Sequence, residues 1–302
     1  MTPVALPERV AQWPPYVTSL PASAVCQERF SMKLSMQLGL PLVIALALTS
    51  CTAHADPPFR GTIFIDPDII TADDHTAFQG ATYAGQGMRR MFDRRVDDAI
   101  KVNAYLFNAT FDDGLAAEIQ VNPEFGSSAA AQTEADKYGA AIGRLPHVLR
   151  VDVHSVSIHA GVKPFGGGDN NLLIHTGQGA RYEADGILEE TLVHEASHTS
   201  LDAKHAAAAG WLAAQAADKE FISKYARDNP RREDVAESFL PYLAVRHRSD
   251  RISATLADTI EQTISHRLAY FDAQEFDMYP IVVRVAGDSD DDGDDDGDDL
   301  GQ

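Results

Sequence analysis

Cysteine is nearly absent: the 302 residues include two, Cys26 and Cys51, both near the N-terminus. Two cysteines exclude a disulfide framework and any four-cysteine zinc cluster. Long apolar runs are missing as well. The most prominent, LGLPLVIALAL at 38–48, has eleven residues, well short of the roughly 20 that a membrane-spanning helix needs. Basic charge is scarce, with 25 Lys and Arg against 45 Asp and Glu for a net charge of −20. That balance argues against a general nucleic-acid binder, because a phosphate backbone rewards basic surfaces. What remains is ordinary globular material, 44% apolar with unremarkable Gly and Pro content, and enough chain to bury a sizeable core.

Three unlike segments share those totals. Lys33, the apolar run and Ala53-His54-Ala55 follow the pattern of a secretory signal peptide cut after Ala55. Counted from Met1 such a signal is unusually long, whereas Met32 opens a compact one. Residues 1–31 are therefore read as an over-extended N-terminus and 32–55 as the signal. Leu48-Thr49-Ser50-Cys51 also resembles a bacterial lipobox, in which Cys51 would carry lipid and be the sole membrane attachment. Both readings expect an exported protein, periplasmic, secreted or held on the outer envelope.

At the other end, 288–302 holds nine aspartates in fifteen residues and reads as a disordered acidic tail. Asp288-x-Asp290-x-Asp292-Gly293 imitates the start of a Ca2+ loop. Position twelve, however, is Asp299 where a bidentate glutamate belongs, and no amphipathic helix follows. A solvated tail is favoured over a calcium site.

Residues 56–287 are expected to form one α+β unit without repeats or linkers. Short β-branched or aromatic runs at 62–65, 104–111 and 117–121 suggest strands. An Ala-rich helix is expected over 127–142, then strands at 149–158 and 171–176 with a turn at Gly166-Gly167-Gly168 between them. From Ala184 to about Phe271 the pattern is helical. A mixed sheet followed by helices is the α+β signature.

Chemistry concentrates at His194-Glu195-Ala196-Ser197-His198. On a helix, His-Glu-x-x-His puts both imidazoles on one face, one turn apart, within reach of one metal ion. Leu188, Leu192 and Ala196 form an apolar stripe that seats such a helix with the histidines facing a cleft. With 11 histidines in the chain, the pattern would arise by chance only about 0.02 times. Neutral imidazoles suit Zn2+, whose bound water has a pKa near 7, and Glu195 is placed to take the proton from that water.

A third ligand must come from elsewhere. The extension His-x-x-Gly-x-x-His fails, with Leu201 and Lys204 at the required positions and His205 one residue out of register. Downstream, Glu233 and Glu237 stack four apart on one helical face, a repulsive pairing that a cation would relieve. The alternative is a solvated acidic face relieved by Arg231 and Arg232.

His194-Glu195-x-x-His198 followed, 35 residues later, by Glu233-x-x-x-Glu237 resembles the zincin metallopeptidases of the glutamate-ligand branch, the gluzincins. The pairing is similar to that of thermolysin-like and anthrax lethal factor–like peptidases. It departs from the former in having Glu where they have Asp. The resemblance implies a zincin-like fold: a mixed sheet, a backing helix at 127–142 and an antiparallel edge strand at 171–176 lining a peptide cleft. It implies zinc held by His194, His198 and Glu233, with Glu237 supporting a histidine, although the reverse assignment of the two glutamates stays open. Tyr225 is the expected oxyanion donor, with Tyr242 and His247 as alternatives, and Asp202 is placed to orient a ligand. His154, His159 and His175 read as sheet surface. The expected activity is hydrolysis of a peptide or protein substrate. Its rivals are a zinc hydrolase with a non-peptide substrate and a non-catalytic envelope lipoprotein whose acidic tail binds calcium or a partner.

Overall fold

Two long strands open the fold, and neither follows a simple alternation of apolar and polar residues. β1 (Phe78–Asp93) pairs antiparallel with β2 (Asp98–Phe111) along its whole length. Gly80 and Gly85, at φ 152° and 97°, mark the two register shifts of that ladder. Such bulges need backbone conformations that side chains seldom adopt. The glycines and arginines of β1 hide it from pattern reading, which finds β2 only from Ala104 onward. β3 (Ala116–Val121) continues antiparallel to β2 and runs parallel to β4 (Ser155–His159). The remaining strands are β5 (Gly166–Gly168) and β6 (Asn171–His175). β6 is parallel to β4, and β5 closes the sheet antiparallel to β6, giving the order β1-β2-β3-β4-β6-β5.

The computed structural model describes residues 56–282; the leader, Cys51 and the acidic tail of the sequence reading lie outside them. Helix α1 (Ser128–Gly143) is capped by the Ser127 hydroxyl and presses Ala131, Ala135, Tyr138 and Ile142 into the core. The other helices follow in order: α2 (His147–Arg150), α3 (Thr176–Ala184), α4 (Leu188–Ser200), α5 (Asp202–His205), α6 (Ala209–Ala217), α7 (Lys224–Asp228), α8 (Asp234–His247) and α9 (Ala254–Asp272). The fold is α+β, a mixed six-stranded sheet followed by a helical C-terminal half. Helix α4 sits at its centre, packed on β5, α2 and α8. Its Leu188, Leu192 and Ala196 are buried as the stripe requires, joined by Val193. Each large apolar side chain so buried contributes roughly 1.5–3 kcal/mol.

The C-terminal helix is tied to this centre by charge. Arg267 of α9 is fully buried; its Nε donates to Asp234 and its Nη1 to Asp218, both at 2.9 Å. Removing one partner of such a set would leave an uncompensated buried charge, at a cost of about 3–5 kcal/mol.

Several sequence expectations change. The 62–65 run is not a strand, since Ile63 sits at φ 54° and the neighbouring bridge joins Phe59 to Ser223. Ile65 serves the core without joining the sheet. The 149–158 run splits, because Pro146 leads into the short helix α2 and the pairing resumes only at Ser155. Gly166-Gly167-Gly168 is a strand, not a turn. It displaces 171–176 from the sheet edge: β6 is second from the edge and Thr176 already begins α3. His159 and His175 are fully buried with rings stacked at 5.4 Å, while His154 is exposed. The β1–β2 tip folds over these strand ends. Asp93 Oδ2 comes within 3.8 Å of His159 Nδ1, and Arg94 Nη2 donates to the Phe165 carbonyl at 2.9 Å.

Candidate metal centre

Helix α4 begins after Gly186, whose φ of 68° suits glycine, and carries Glu189 and Glu190 in its first turn, where the helix dipole favours acids. Two turns on, His194 and His198 project together. Their Nε2 atoms lie 3.2 Å apart. Glu233, the residue just before α8, brings Oε2 to 3.2 Å from His198 Nε2 and 3.7 Å from His194 Nε2. Metal–ligand bonds of about 2.0–2.1 Å in a tetrahedron place neighbouring ligand atoms about 3.3 Å apart. The three atoms therefore stand at the corners of one face of a metal coordination shell, and this group can hold a metal ion. Two imidazoles and a carboxylate suit zinc and its first-row neighbours alike. Glu237 offers no comparable contact; its Oε1 reaches only the far side of the His194 ring, 3.7 Å from Nδ1.

His198 and Glu233 are held from behind by hydrogen bonds, and His194 has the Glu237 carboxylate behind its ring at 3.7 Å. His198 Nδ1 is 2.8 Å from Asp202 Oδ2, one helical turn on. Glu237, beside His194, accepts the Ser223 hydroxyl on Oε2 at 2.5 Å. Glu233 Oε1 accepts the Tyr225 hydroxyl at 2.9 Å and Arg232 Nε at 2.8 Å, which turns Oε2 toward the histidines. Burial acts against charge on all of these groups; it prevails at His194 and Glu237, whereas the neighbours prevail at His198 and Glu233. His194 is pushed down to about 3 by burial and then by the His198 charge. His198 rises to about 10, because Asp202 and then Glu233 outweigh burial. Glu233 falls to about 2 against its own burial, held by the His198 hydrogen bond and both imidazoles. Burial lifts Glu237 to about 7. A metal ion would thus compete with one proton on His198 for the same carboxylate.

Glu195 projects about 100° around the helix from His194, toward β5. Burial raises its pKa, opposed by the charges of His198 and Arg94 and by the nearby Gly167 amide. Strand and helix touch backbone to backbone: a Cβ on Gly167 would stand 1.7 Å from the Glu195 carbonyl oxygen. The Gly168 N–H donates to Thr199 Oγ1 at 2.9 Å, fastening the same strand one turn further along α4.

The structure gathers His194, His198 and Glu233, with Asp202, Glu237 and Tyr225 around them and Glu195 toward the sheet edge. His205 stands apart, buried with Nδ1 on the Tyr270 hydroxyl at 2.8 Å. Tyr242 is core, packed on Phe239 and Phe271, and His247 packs edge-on against it. The hydroxyl of Tyr225, the expected oxyanion donor, donates to the Glu233 carboxylate at 2.9 Å. Pattern reading missed three residues. Arg232 read only as charge relief, although its adjacency to Glu233 was visible. Gly167 read as a turn, and Ser223, which also caps α7, gave no signal. No protein-family profile matches the chain, and neither the curated proteins nor the solved structures contain a match.

Proposed function

We propose that the chain is an exported zinc metallopeptidase of zincin-like architecture. One observation carries the reading: His194 and His198 of α4 converge at metal-ligand spacing with Glu233 from the start of α8, and the residue after His194, Glu195, is a carboxylate facing the sheet edge. The order of elements agrees with the resemblance, with α1 as the backing helix and an antiparallel outer strand, β5, ahead of the motif helix. The pattern at 32–55 supplies the export. Zinc held by His194, His198 and Glu233 would lower the pKa of its water toward about 7 and polarise the scissile carbonyl.

The chain's own groups handle the proton. Glu195 takes it from the attacking water as the water oxygen bonds to the carbonyl carbon. Glu195 then passes it to the amine nitrogen as the C–N bond breaks. A carboxylate whose pKa is raised by burial accepts that proton more readily than an exposed one. Asp202 and Glu237 orient the histidine rings from behind, a kind of support that fixes ligand geometry and basicity. An extended peptide would add as a strand on the open side of β5, where main-chain groups recognise main chain.

Metal analysis of the purified protein, with a peptide library read by mass spectrometry, tests the reading. Stoichiometric zinc and cleavage are expected. Glu195→Gln should keep its zinc and lose about a hundredfold or more in rate. Glu233→Ala should lose zinc, whereas Glu237→Ala retains more of it. Absence of stoichiometric zinc, or undiminished proteolysis by Glu195→Gln, overturns the proposal. Bound zinc with silence across the library points to a non-peptide substrate.

A further inference from the structure

Glu233 has a cation on its outer side. Arg232 Nε donates to Glu233 Oε1 at 2.8 Å and its Nη2 lies 3.5 Å from the Tyr225 hydroxyl, yet the side chain is 55% exposed while Glu233 is 3% exposed. One edge of the guanidinium is thus fixed on a buried carboxylate. Nη1 makes no hydrogen bond to any described residue, so the other edge is presented to solvent. The fixed carboxylate is the one whose Oε2 meets both imidazoles, so the cation lies one carboxylate's width from the point where the three ligand atoms converge. The carboxylates nearest this point are Glu195, Asp202, Glu233 and Glu237, and the other cations beside them are His198, tied to Asp202 and Glu233, and Arg94, tied to the Phe165 carbonyl. Among these cations Arg232 is the exposed one, with a guanidinium edge open to an anionic group.

A guanidinium is planar and offers paired N–H donors that match a carboxylate in two-point contact. Fixing one edge removes much of the rotamer freedom that an exposed arginine loses on binding. We propose that Arg232 anchors a substrate carboxylate beside the metal-ligating triad. The favoured substrates are peptides bearing a carboxylate within about one residue of the scissile bond. The carboxylate is either the free C-terminus or the side chain of Asp or Glu. The inference rests on the peptidase reading of the same site.

The test uses four peptides of one sequence, with free or amidated C-terminus and with Glu or Gln at the neighbouring position. Binding to zinc-loaded Glu195→Gln protein is followed by fluorescence anisotropy, and turnover by the zinc-loaded wild type in parallel. The carboxylate form should bind about tenfold or more tightly than its neutral counterpart, as expected of a charge-assisted hydrogen bond. Loss of the preference on amidation assigns it to the C-terminus, and loss on Glu→Gln assigns it to the side chain. Adding Arg232→Gln to the binding protein should abolish the preference, and Arg232→Lys should restore part of it. If Arg232→Gln loses zinc, zinc-loaded Arg232→Lys decides: a preference weaker than the wild type's supports the anchor, and an undiminished one overturns it. Equal binding of all four peptides, binding of none, or a preference that survives in zinc-loaded Arg232→Gln overturns the anchor. Preferential binding without turnover overturns the peptidase reading and leaves the anchor standing; turnover without preference does the reverse.

Discussion

A single methyl group added at Gly167 probes the contact between β5 and α4. Its Cβ would lie 1.7 Å from the Glu195 carbonyl oxygen, 2.5 Å from the carbonyl carbon and 3.0 Å from Cα. Carbon and oxygen normally approach to about 3.3 Å, so strand and helix must separate by about 1.5 Å. Neither side has a flexible chain end to yield, because both are backbone inside regular elements. Moving β5 strains its pairing with β6 and the hydrogen bond from the Gly168 amide to Thr199. Overpacking costs typically 1–3 kcal/mol and each lost hydrogen bond about 1 kcal/mol. Gly167→Ala should therefore destabilise by about 3–5 kcal/mol, a large share of the 5–15 kcal/mol that a domain usually has. Two controls bracket it. Gly61 has nothing within 4 Å of its Cβ position, so Gly61→Ala should change stability by less than about 0.5 kcal/mol. At Gly166 the nearest atom, at 2.9 Å, is Arg94 Nη2, a side-chain end that can shift at the expense of its hydrogen bond to the Phe165 carbonyl, so the expected cost is about 1 kcal/mol. Urea unfolding followed by circular dichroism orders the three variants. If Gly167→Ala unfolds at the same midpoint as Gly61→Ala, the close approach is refuted, and with it the account of why this strand is glycine.

Two further outcomes follow from the groups on α4. Asp202→Asn leaves His198 Nδ1 facing an amide in place of a carboxylate, and zinc affinity measured by equilibrium dialysis should fall about 10- to 100-fold; unchanged affinity would remove Asp202 from the site's support. Glu190 is fully buried, accepts the Ile70 N–H at 3.0 Å, and is raised by burial from 4.5 to about 7. The folded protein then keeps a proton that the unfolded chain releases. The stability this contributes is complete below pH 4.5 and is lost as pH rises through about 7, a change of roughly 3 kcal/mol. Glu190→Gln should flatten that part of the pH profile of urea midpoints, and an identical slope in both proteins would refute it.

The histidine pair was legible because its geometry is local: the helical period alone puts positions 194 and 198 on one face. Glu233 was reachable only through spacing and resemblance, since its approach depends on how α8 packs against α4. The sheet was legible where side chains carry it, in β2, β3 and β6, and illegible where they do not. In β5 the selected property is the absence of side chains, which in sequence looks like a turn. β1 was hidden because its bulges call for glycine. The burial of His159 and His175 could not be read from their own strands, because the cover is the β1–β2 tip, supplied from a distant part of the chain. Tyr225 was found by position and its partner was not, since a hydroxyl's choice of acceptor is fixed only by three-dimensional neighbours.

The clamp of Arg267 on Asp234 has a temporal meaning. Asp234 directly follows the third ligand, and the residue that holds it lies in the last helix of the described fold. A chain emerging N-terminus first presents both histidines long before it has the means to fix Glu233. Any metal capture by the three-residue cluster would therefore be completed only once α9 is in place. A fragment ending after α8 would have all three residues of the cluster in sequence but no buried cation to hold Asp234, the residue beside Glu233.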